Sequence, residues 1–583
     1  MGRNKQQGRK LIISHQNRSK QMISTKKHIQ QLAAILKAKC ICDIVISPGS
    51  RSGPLVHTLV TNGFFNCRNI VDERSAGYFA IGLSQVLQKP VVLVCSSGTS
   101  TLNYAPAVAE AFYQNIPLVI LTADRPAYWI NQGENQSIKQ NNIYRGFVKK
   151  EITIPMGESE KELWFACREI NNCINKAVSG NQGPVHINIP MEEPLHDLLP
   201  EDLPSVKNIE VSETNTFISE NELNKLAKIY NQSGKILILA GQQNPDKYLE
   251  NILSEFAKKT GAVVLKDQLA NLNNTDFCGN VDLLVTSLLS ENIAKFKPDL
   301  LISFGGKFVS KTLKYFLREN RAKNHWHINI ENECTDTYLS LTEIIGVKAK
   351  TFFSQILPFA ESKNNRFFVR WKEKERQINY LRDEFISQIG FCDLSVFGYL
   401  QRYIPENSVL HLGNSSSVRY ALLFNTLRDV EYFSNRGVSG IDGSMSTAVG
   451  FNSESGKINT LVLGDLSFFY DSNALWNKYI RDNLRIIVIN NAGGNIFSMI
   501  KGISDSPAFK EHFFTENRFS VKEIAKIFKL DYFIASEKNE LETALQEFYS
   551  QKQKKAAILE VFTDAELNAK TFKELFVAVK NVK

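Results

Sequence analysis

The sequence contains no apolar run approaching the ~18 residues that a membrane-spanning helix requires. Its basic N-terminus has neither the apolar segment nor the small-residue cleavage site of a secretory signal. Nine cysteines are scattered without a single C-x-x-C pair, and Cys40 and Cys42 are separated by one residue only. These absences argue against membrane insertion, a zinc site and a disulfide framework, and point to a reduced, cytoplasmic protein. No short-period repeat is present. Gly305-Gly306-Lys307 is not a P-loop, because Leu301 stands where the first glycine belongs and Phe308 follows the lysine.

What is present is ordinary in bulk: 43% apolar and 22% charged residues over 583 positions, enough for three or four domains. The formal charge of +9 is concentrated in one place. Residues 1–27 carry eight Lys/Arg and no acid, and the remainder is nearly neutral. Such a tail reads either as a nucleic-acid or membrane contact or as a disordered leader before Met22. It has no aromatic interleaving and no clear amphipathic pattern, which favours the leader and counts against nucleic acid as a partner.

Along the chain, buried-looking strands alternate with Gly/Ser turns and helices. Examples are Asp43–Ile46, Val91–Cys95 and Pro117–Leu121, with a helix over Ser75–Leu87. The pattern specifies an α/β protein of doubly wound parallel sheets. The organisation expected is a tail (1–21), a first α/β domain (22–195), a linker (196–222), a middle α/β domain (223–360), a solvated connecting helix (361–388) and a third α/β domain (389–583).

The most informative stretch is Gly464–Phe497. Two apolar runs, Leu461–Leu463 and Ile486–Ile489, read as parallel strands joined by a crossover helix. They put Asp465 and Asn491 at carboxyl ends of strands, the ligand-binding edge of an open α/β sheet. A carboxylate, an amide oxygen and a carbonyl exposed at Gly493-Gly494 form a hard donor set suited to Mg²⁺ shared with phosphate oxygens. Taken alone, the stretch reads equally well as a plain βαβ unit with an Asp in a turn.

Read with the rest of the chain, these motifs resemble thiamine diphosphate enzymes: Gly464-Asp465, about 25 residues, then Asn490-Asn491, and Asp72-Glu73-Arg74-Ser75-Ala76-Gly77 far upstream. Within that superfamily the chain resembles the 2-succinyl-5-enolpyruvyl-6-hydroxy-3-cyclohexene-1-carboxylate synthase family of menaquinone biosynthesis. The stretches concerned are SPGSRSGPL (47–55), DERSAGYFAIGL (72–83), SSGTSTLNYAPAVAEAF (96–112), LTADRP (121–126), GENQSIKQ (133–140), SNRGVSGIDGSMSTAVG (434–450), GDLSFFYDSNAL (464–475) and NNAGGNIF (490–497).

The resemblance implies three domains of the thiamine diphosphate-enzyme type: pyrimidine-binding, middle and diphosphate-binding. It implies thiamine diphosphate with Mg²⁺ (or Mn²⁺), held by Asp465, Asn491 and Gly493, with Gly440, Ile441, Leu466 and Ser467 against the cofactor. Glu73 is the carboxyl group placed to hydrogen-bond the aminopyrimidine ring. The implied reaction is a transferase reaction: decarboxylation of 2-oxoglutarate, then 1,4-addition of the succinyl unit to isochorismate. Both substrates are anionic and call for arginine forks. The positions implied are Ser50, Arg51, Arg125, Asn135, Gln136, Lys311, Ser415, Arg419 and Arg436, with Ile496 and Phe497 as an apolar wall. A dimer, or a dimer of dimers, with the site between subunits is implied too. Another 2-oxoacid decarboxylase or carboligase, and an inactive scaffold of the same fold, are the alternatives.

Overall fold

The computed structural model describes residues 22–212, 216–500, 502–550 and 552–582. The basic stretch 1–21 lies outside the described residues. Three parallel sheets organise the chain. The first runs Asn66–Asn69, Asp43–Ile46, Val91–Cys95, Leu118–Asp124, Val185–Pro190, Glu151–Thr153. The middle sheet runs Val263–Lys266, Ile236–Ala240, Leu300–Phe304, Asn324–Ile328, Glu343–Ile345. The third runs Val430–Phe433, Ser408–Leu412, Asn459–Gly464, Leu484–Asn490, Ala557–Phe562, Asp531–Ala535.

The first and third sheets share one topology. In chain order within each sheet, the strands lie second, first, third, fourth, sixth, fifth. The direction of winding reverses between the first and third strands, and ligands bind at the carboxyl ends beside such a switch point. In the first sheet that point lies between Ile46 and Cys95, followed by Ser47–Ser52 and Ser96–Gly98. In the third it lies between Leu412 and Gly464, followed by Asn414–Ser417 and Asp465. The central strands are buried along their whole length and mostly apolar, with Thr122, Asp124, Arg485 and Asn490 as polar positions, as both-face coverage by helices demands.

One hydrophobic core joins these two sheets, with Val45, Leu93 and Ile120 in the same cluster as Leu463, Ile486 and Val488. The seam is the crossing of the helices Glu73–Leu87 and Ser444–Asn452. It is tight because glycines form it. A Cβ on Gly82 would stand 1.9 Å from the Thr447 carbonyl oxygen, and one on Gly450 would stand 2.1 Å from that of Phe79. A Cβ on Gly443, which has φ +72°, would stand 2.2 Å from the Tyr78 ring.

Some details differ from the sequence reading. Ile23–Ser24 pairs antiparallel with Leu198–Leu199, so the stretch after residue 195 first folds back onto the first domain. The helix Arg366–Gln388 is not solvated all round: Phe367, Trp371 and Ile378, a stripe at helical spacing, are buried. The crossover after Asp465 is short, a six-residue helix Asp465–Tyr470 and a 3₁₀ turn Ser472–Leu475. No described helix is long and apolar enough to cross a membrane.

Candidate active site

At the carboxyl edge of the third sheet lies a cavity of about 300 Å³. Asp465, Asn491, Gly493, Ser415, Ile441 and Phe497 line it, and so do Gly464, Leu466, Ser467 and Ile496. The two strands that end at Gly464 and Asn490 are paired in register, Gly464 opposite Ile489, so Asp465 and Asn491 leave adjacent strands within one residue of each other in register. Gly493 has φ +148°, and a Cβ there would meet the Phe514 carbonyl oxygen at 2.6 Å, so only glycine carries the chain past this point.

The oxygen donors are held from behind. Asp393, itself buried, accepts from Asn491 Nδ2 at 3.0 Å, from Asn568 Nδ2 at 2.9 Å and from Thr563 Oγ1 at 2.6 Å. The amide nitrogen of Asn491 is thereby tied back, leaving its oxygen as the free face. Asn517 Nδ2 donates to Asp465 Oδ2 at 3.0 Å. Burial pushes the Asp465 carboxyl up to about 6, with neighbouring Asp393 adding to the rise against the hydrogen bonds that lower it. Among the described residues no three His, Cys, Asp or Glu side chains converge on a metal position. Asp465, the Asn491 amide oxygen and the Gly493 carbonyl are oxygen donors of the kind a hard cation shared with ligand oxygens takes.

The loop Ser434–Gly443 contributes Ile441 to the cavity. Asn414 Nδ2 donates to Asn435 O at 2.7 Å and Gly440 O at 2.6 Å, while its Oδ1 accepts from Arg436 Nη1 at 2.8 Å. Ser467 Oγ donates to Ile441 O at 2.6 Å, leaving the Ile441 side chain 37% exposed over the cavity. From the first domain, buried Glu110 accepts the amides of Gly437 at 2.6 Å and Val438 at 2.7 Å. From the middle domain, Lys307 Nζ donates to Gly437 O. All three domains thus fix the position of Arg436.

Burial lowers the basicity of both the Arg419 and the Arg436 guanidinium, and the charge of Arg419 lowers that of Arg436 further. Arg419 Nη1 donates to Ser415 O, and Arg436 Nε is buried with no partner. The expected Lys311 does not join them. It is exposed at the first turn of the helix Lys311–Glu319 and, like Arg419 and Arg436, does not line the cavity at Asp465. Lys314, one turn further on, is the lysine of that helix whose charge is felt by Arg436; burial first, then Arg436, lowers its basicity.

The other expected residues form a second group, at the first sheet's switch point. Glu73 is the first residue of the helix Glu73–Leu87, capped by Asp72, whose Oδ1 accepts from Ser75 N at 2.8 Å. Arg74 Nη2 donates to Tyr470 O at 2.6 Å. Asn103 Nδ2 reaches Glu73 Oε2 at 3.4 Å. Arg125 pairs with Glu134 at 2.9 Å, and its Nε donates to Asn135 O at 2.8 Å, which gathers Arg125, Asn135 and Gln136 in one exposed loop. Ser50 is exposed, whereas Arg51 is buried, donating to Met191 O at 3.1 Å and Glu193 Oε1 at 3.0 Å.

The two groups do not meet within one chain. No first-domain residue lines the cavity at Asp465. Asp72 and Arg74 instead contact Asn473 and Tyr470, at the far end of the short helix that Asp465 begins. Glu110, Asp393, Asn414 and Asn517 were absent from the sequence-derived set. Glu110 had the clearest signal, a lone acid in an alanine-rich buried helix.

The described geometry agrees with what the chain resembles among known proteins. Residues 26–143 match the thiamine pyrophosphate enzyme N-terminal TPP binding domain, and residues 204–412 match the middle domain of thiamine pyrophosphate enzymes. A solved benzoylformate decarboxylase from Polynucleobacter necessarius superposes with a TM-score of 0.71 over 93% of this chain and 100% of that one, at 16% identity, a likeness of fold. The 2-succinyl-5-enolpyruvyl-6-hydroxy-3-cyclohexene-1-carboxylate synthase of Phocaeicola vulgatus is 37% identical over 96% of this chain and 100% of its own length. Its namesake in Flavobacterium johnsoniae is 39% identical over 94% and 98%. With that identity over nearly its whole length, the chain belongs to the 2-succinyl-5-enolpyruvyl-6-hydroxy-3-cyclohexene-1-carboxylate synthase family of thiamine diphosphate enzymes.

Proposed function

We propose that the chain is a transferase that decarboxylates 2-oxoglutarate and adds the resulting succinyl unit in 1,4 fashion to isochorismate, in menaquinone biosynthesis and in the cytoplasm. The observation that carries this reading is the cavity at the third sheet's switch point, where Asp465, Asn491 and Gly493 stand together and whose lining residues Ser415 and Asn414 are bonded by Arg419 and Arg436. Asp465, the Asn491 amide oxygen and the Gly493 carbonyl fit Mg²⁺ or Mn²⁺ together with a diphosphate. The Gly493 backbone is held against Phe514 and Thr515, where a side chain would collide, which fixes its place at the cavity. Bound thiamine diphosphate supplies the electron sink for loss of CO₂.

The chain's own residues do the rest. Ile441, the backbone at Gly440 and the Leu466-Ser467 turn hold the cofactor's shape. Glu73 holds a proton at the ring nitrogen of the cofactor, a general acid–base role. Arg419 and Arg436, two cations side by side, take substrate carboxylates, with Ser415 and Lys314 near them. Arg125, Asn135 and Gln136 serve the second substrate from the first-domain loop. Ser50 lies at the same edge, and Arg51 contributes once Glu193 yields its fork. Ile496 and Phe497 give the apolar wall. Because Glu73 and Asp465 stand on surfaces that do not meet in one chain, the site is completed by a second copy, as a dimer or dimer of dimers.

The test is an assay with thiamine diphosphate, Mg²⁺, 2-oxoglutarate and isochorismate. Equimolar CO₂ release and isochorismate consumption are expected. CO₂ release with isochorismate untouched would make the protein a simple decarboxylase.

A further inference from the structure

Asn495 is a buried polar side chain of the cavity without a hydrogen-bond partner, as is the Tyr420 hydroxyl beside it. Asn495 is 2% exposed, yet neither Oδ1 nor Nδ2 has a hydrogen-bond partner in the protein. Its backbone is fixed, since Asn495 N donates to Gly493 O at 2.9 Å at the start of the 3₁₀ turn Asn495–Met499. Its side chain lines the same cavity as Asp465, Asn491 and Gly493. A buried amide left unpaired is costly, and native proteins leave few of them. The other buried amides of this region are all engaged: Asn491 with Asp393, Asn517 with Asp465, and Asn490 with Glu560.

We infer that Asn495 is a ligand-binding residue whose Nδ2 donates to an anionic oxygen of the diphosphate, beside the cation held by Asp465, Asn491 and Gly493. This rests on the cofactor reading above. The amide supplies two N–H donors and one acceptor beside Asp465, the Asn491 oxygen and the Gly493 carbonyl, which only accept. Asp465 and the Gly493 carbonyl can attract only the cation, so a neutral donor here relieves the diphosphate's remaining charge without competing for the metal. Hydrogen bonds to a charged acceptor are the stronger kind.

The experiment is calorimetric titration of the full chain with Mg²⁺–thiamine diphosphate, in wild type, Asn495→Ala and Asn495→Asp, alongside thermal midpoints without cofactor. Asn495→Ala is expected to weaken cofactor binding by roughly tenfold or more, the usual effect of losing a charge-assisted bond. Asn495→Asp, isosteric but anionic, is expected to bind more weakly than the alanine variant. Both ligand-free midpoints are expected to stay at the wild-type value. Undiminished affinity in Asn495→Ala would overturn the inference while leaving the cofactor reading intact. So would a fall in its midpoint with affinity unchanged, which would assign the amide to the fold. Tighter binding by Asn495→Asp than by Asn495→Ala would put the side chain on the cation and overturn the phosphate contact. If wild type itself fails to bind Mg²⁺–thiamine diphosphate, the cofactor reading falls and this inference with it.

Discussion

Glu73 and Asp465 are the two residues on which the chemistry turns, and each gives a separate measurement. Glu73→Gln keeps size and hydrogen bonding but cannot hold or release the proton. It is expected to fold and bind Mg²⁺–thiamine diphosphate normally while losing turnover by about 10²–10⁴-fold. Near-normal turnover in that variant would remove Glu73 from the reaction. For Asp465 the variable is pH. Burial, with Asp393 adding, pushes its carboxyl up to about 6 in the cofactor-free protein. From the ordinary carboxylate range up to about pH 6 the folded chain holds a proton that the unfolded chain has lost. Cofactor-free stability at this group therefore falls as pH rises through that window. Cation binding needs the carboxylate, so it has the opposite dependence: Mg²⁺ affinity is expected to weaken below pH 6, by up to about tenfold per pH unit. A flat titration of Mg²⁺ affinity from pH 7 to pH 5 would contradict this. Asp465 was expected from its turn after the apolar run Leu461–Leu463, and Glu73 only from the resemblance carried by Asp72–Gly77. Asp393 and Asn414 were not expected. Their roles come from partners such as Asn568 and Gly440, 175 and 26 residues away, which no local pattern brings together.

At the level of elements, the strands were the readable part. Val91–Cys95 and Asp43–Ile46 are buried throughout and were bounded correctly by their apolar runs. The helix containing Glu73 begins two residues earlier than its apolar pattern suggested, because the Asp72 side chain caps it there. The helix–helix seam was invisible. Gly82 and Gly450 read as neutral positions until Ser444–Asn452 is laid across Glu73–Leu87. Gly82→Ala is expected to destabilise by at least the 1–3 kcal/mol typical of overpacking, because backbone faces the new methyl and cannot move aside. A thermal midpoint equal to wild type would show that the seam is looser than described. The Ser434–Gly443 loop gives a second test at this scale. Glu110→Ala strands the amides of Gly437 and Val438, which Glu110 now accepts. It is expected to raise KM for the substrates several-fold through Arg436 while Mg²⁺–thiamine diphosphate affinity stays near wild type. Unaltered KM would separate Glu110 from the substrate side.

For the whole molecule, the first and third domains are two copies of one winding pattern, and each presents a switch point. The motif spacing could suggest two half-sites, but strand order and the packing of one domain on the other are set by contacts hundreds of residues apart. In a single chain the half-site at Asp465 is walled by third-domain residues, and Glu73 stands outside it. The central claim is that a working site takes Glu73 from one copy and Asp465 from another. Co-expression of a Glu73→Gln chain and an Asp465→Ala chain, carrying different tags and purified through both, tests it directly. Each parent alone should be inactive. In a mixed dimer one of the two sites combines an intact Glu73 with an intact Asp465, so turnover on the order of half the wild-type value is expected. Mixed dimers no more active than either parent would place both residues of each site on the same chain and contradict the account.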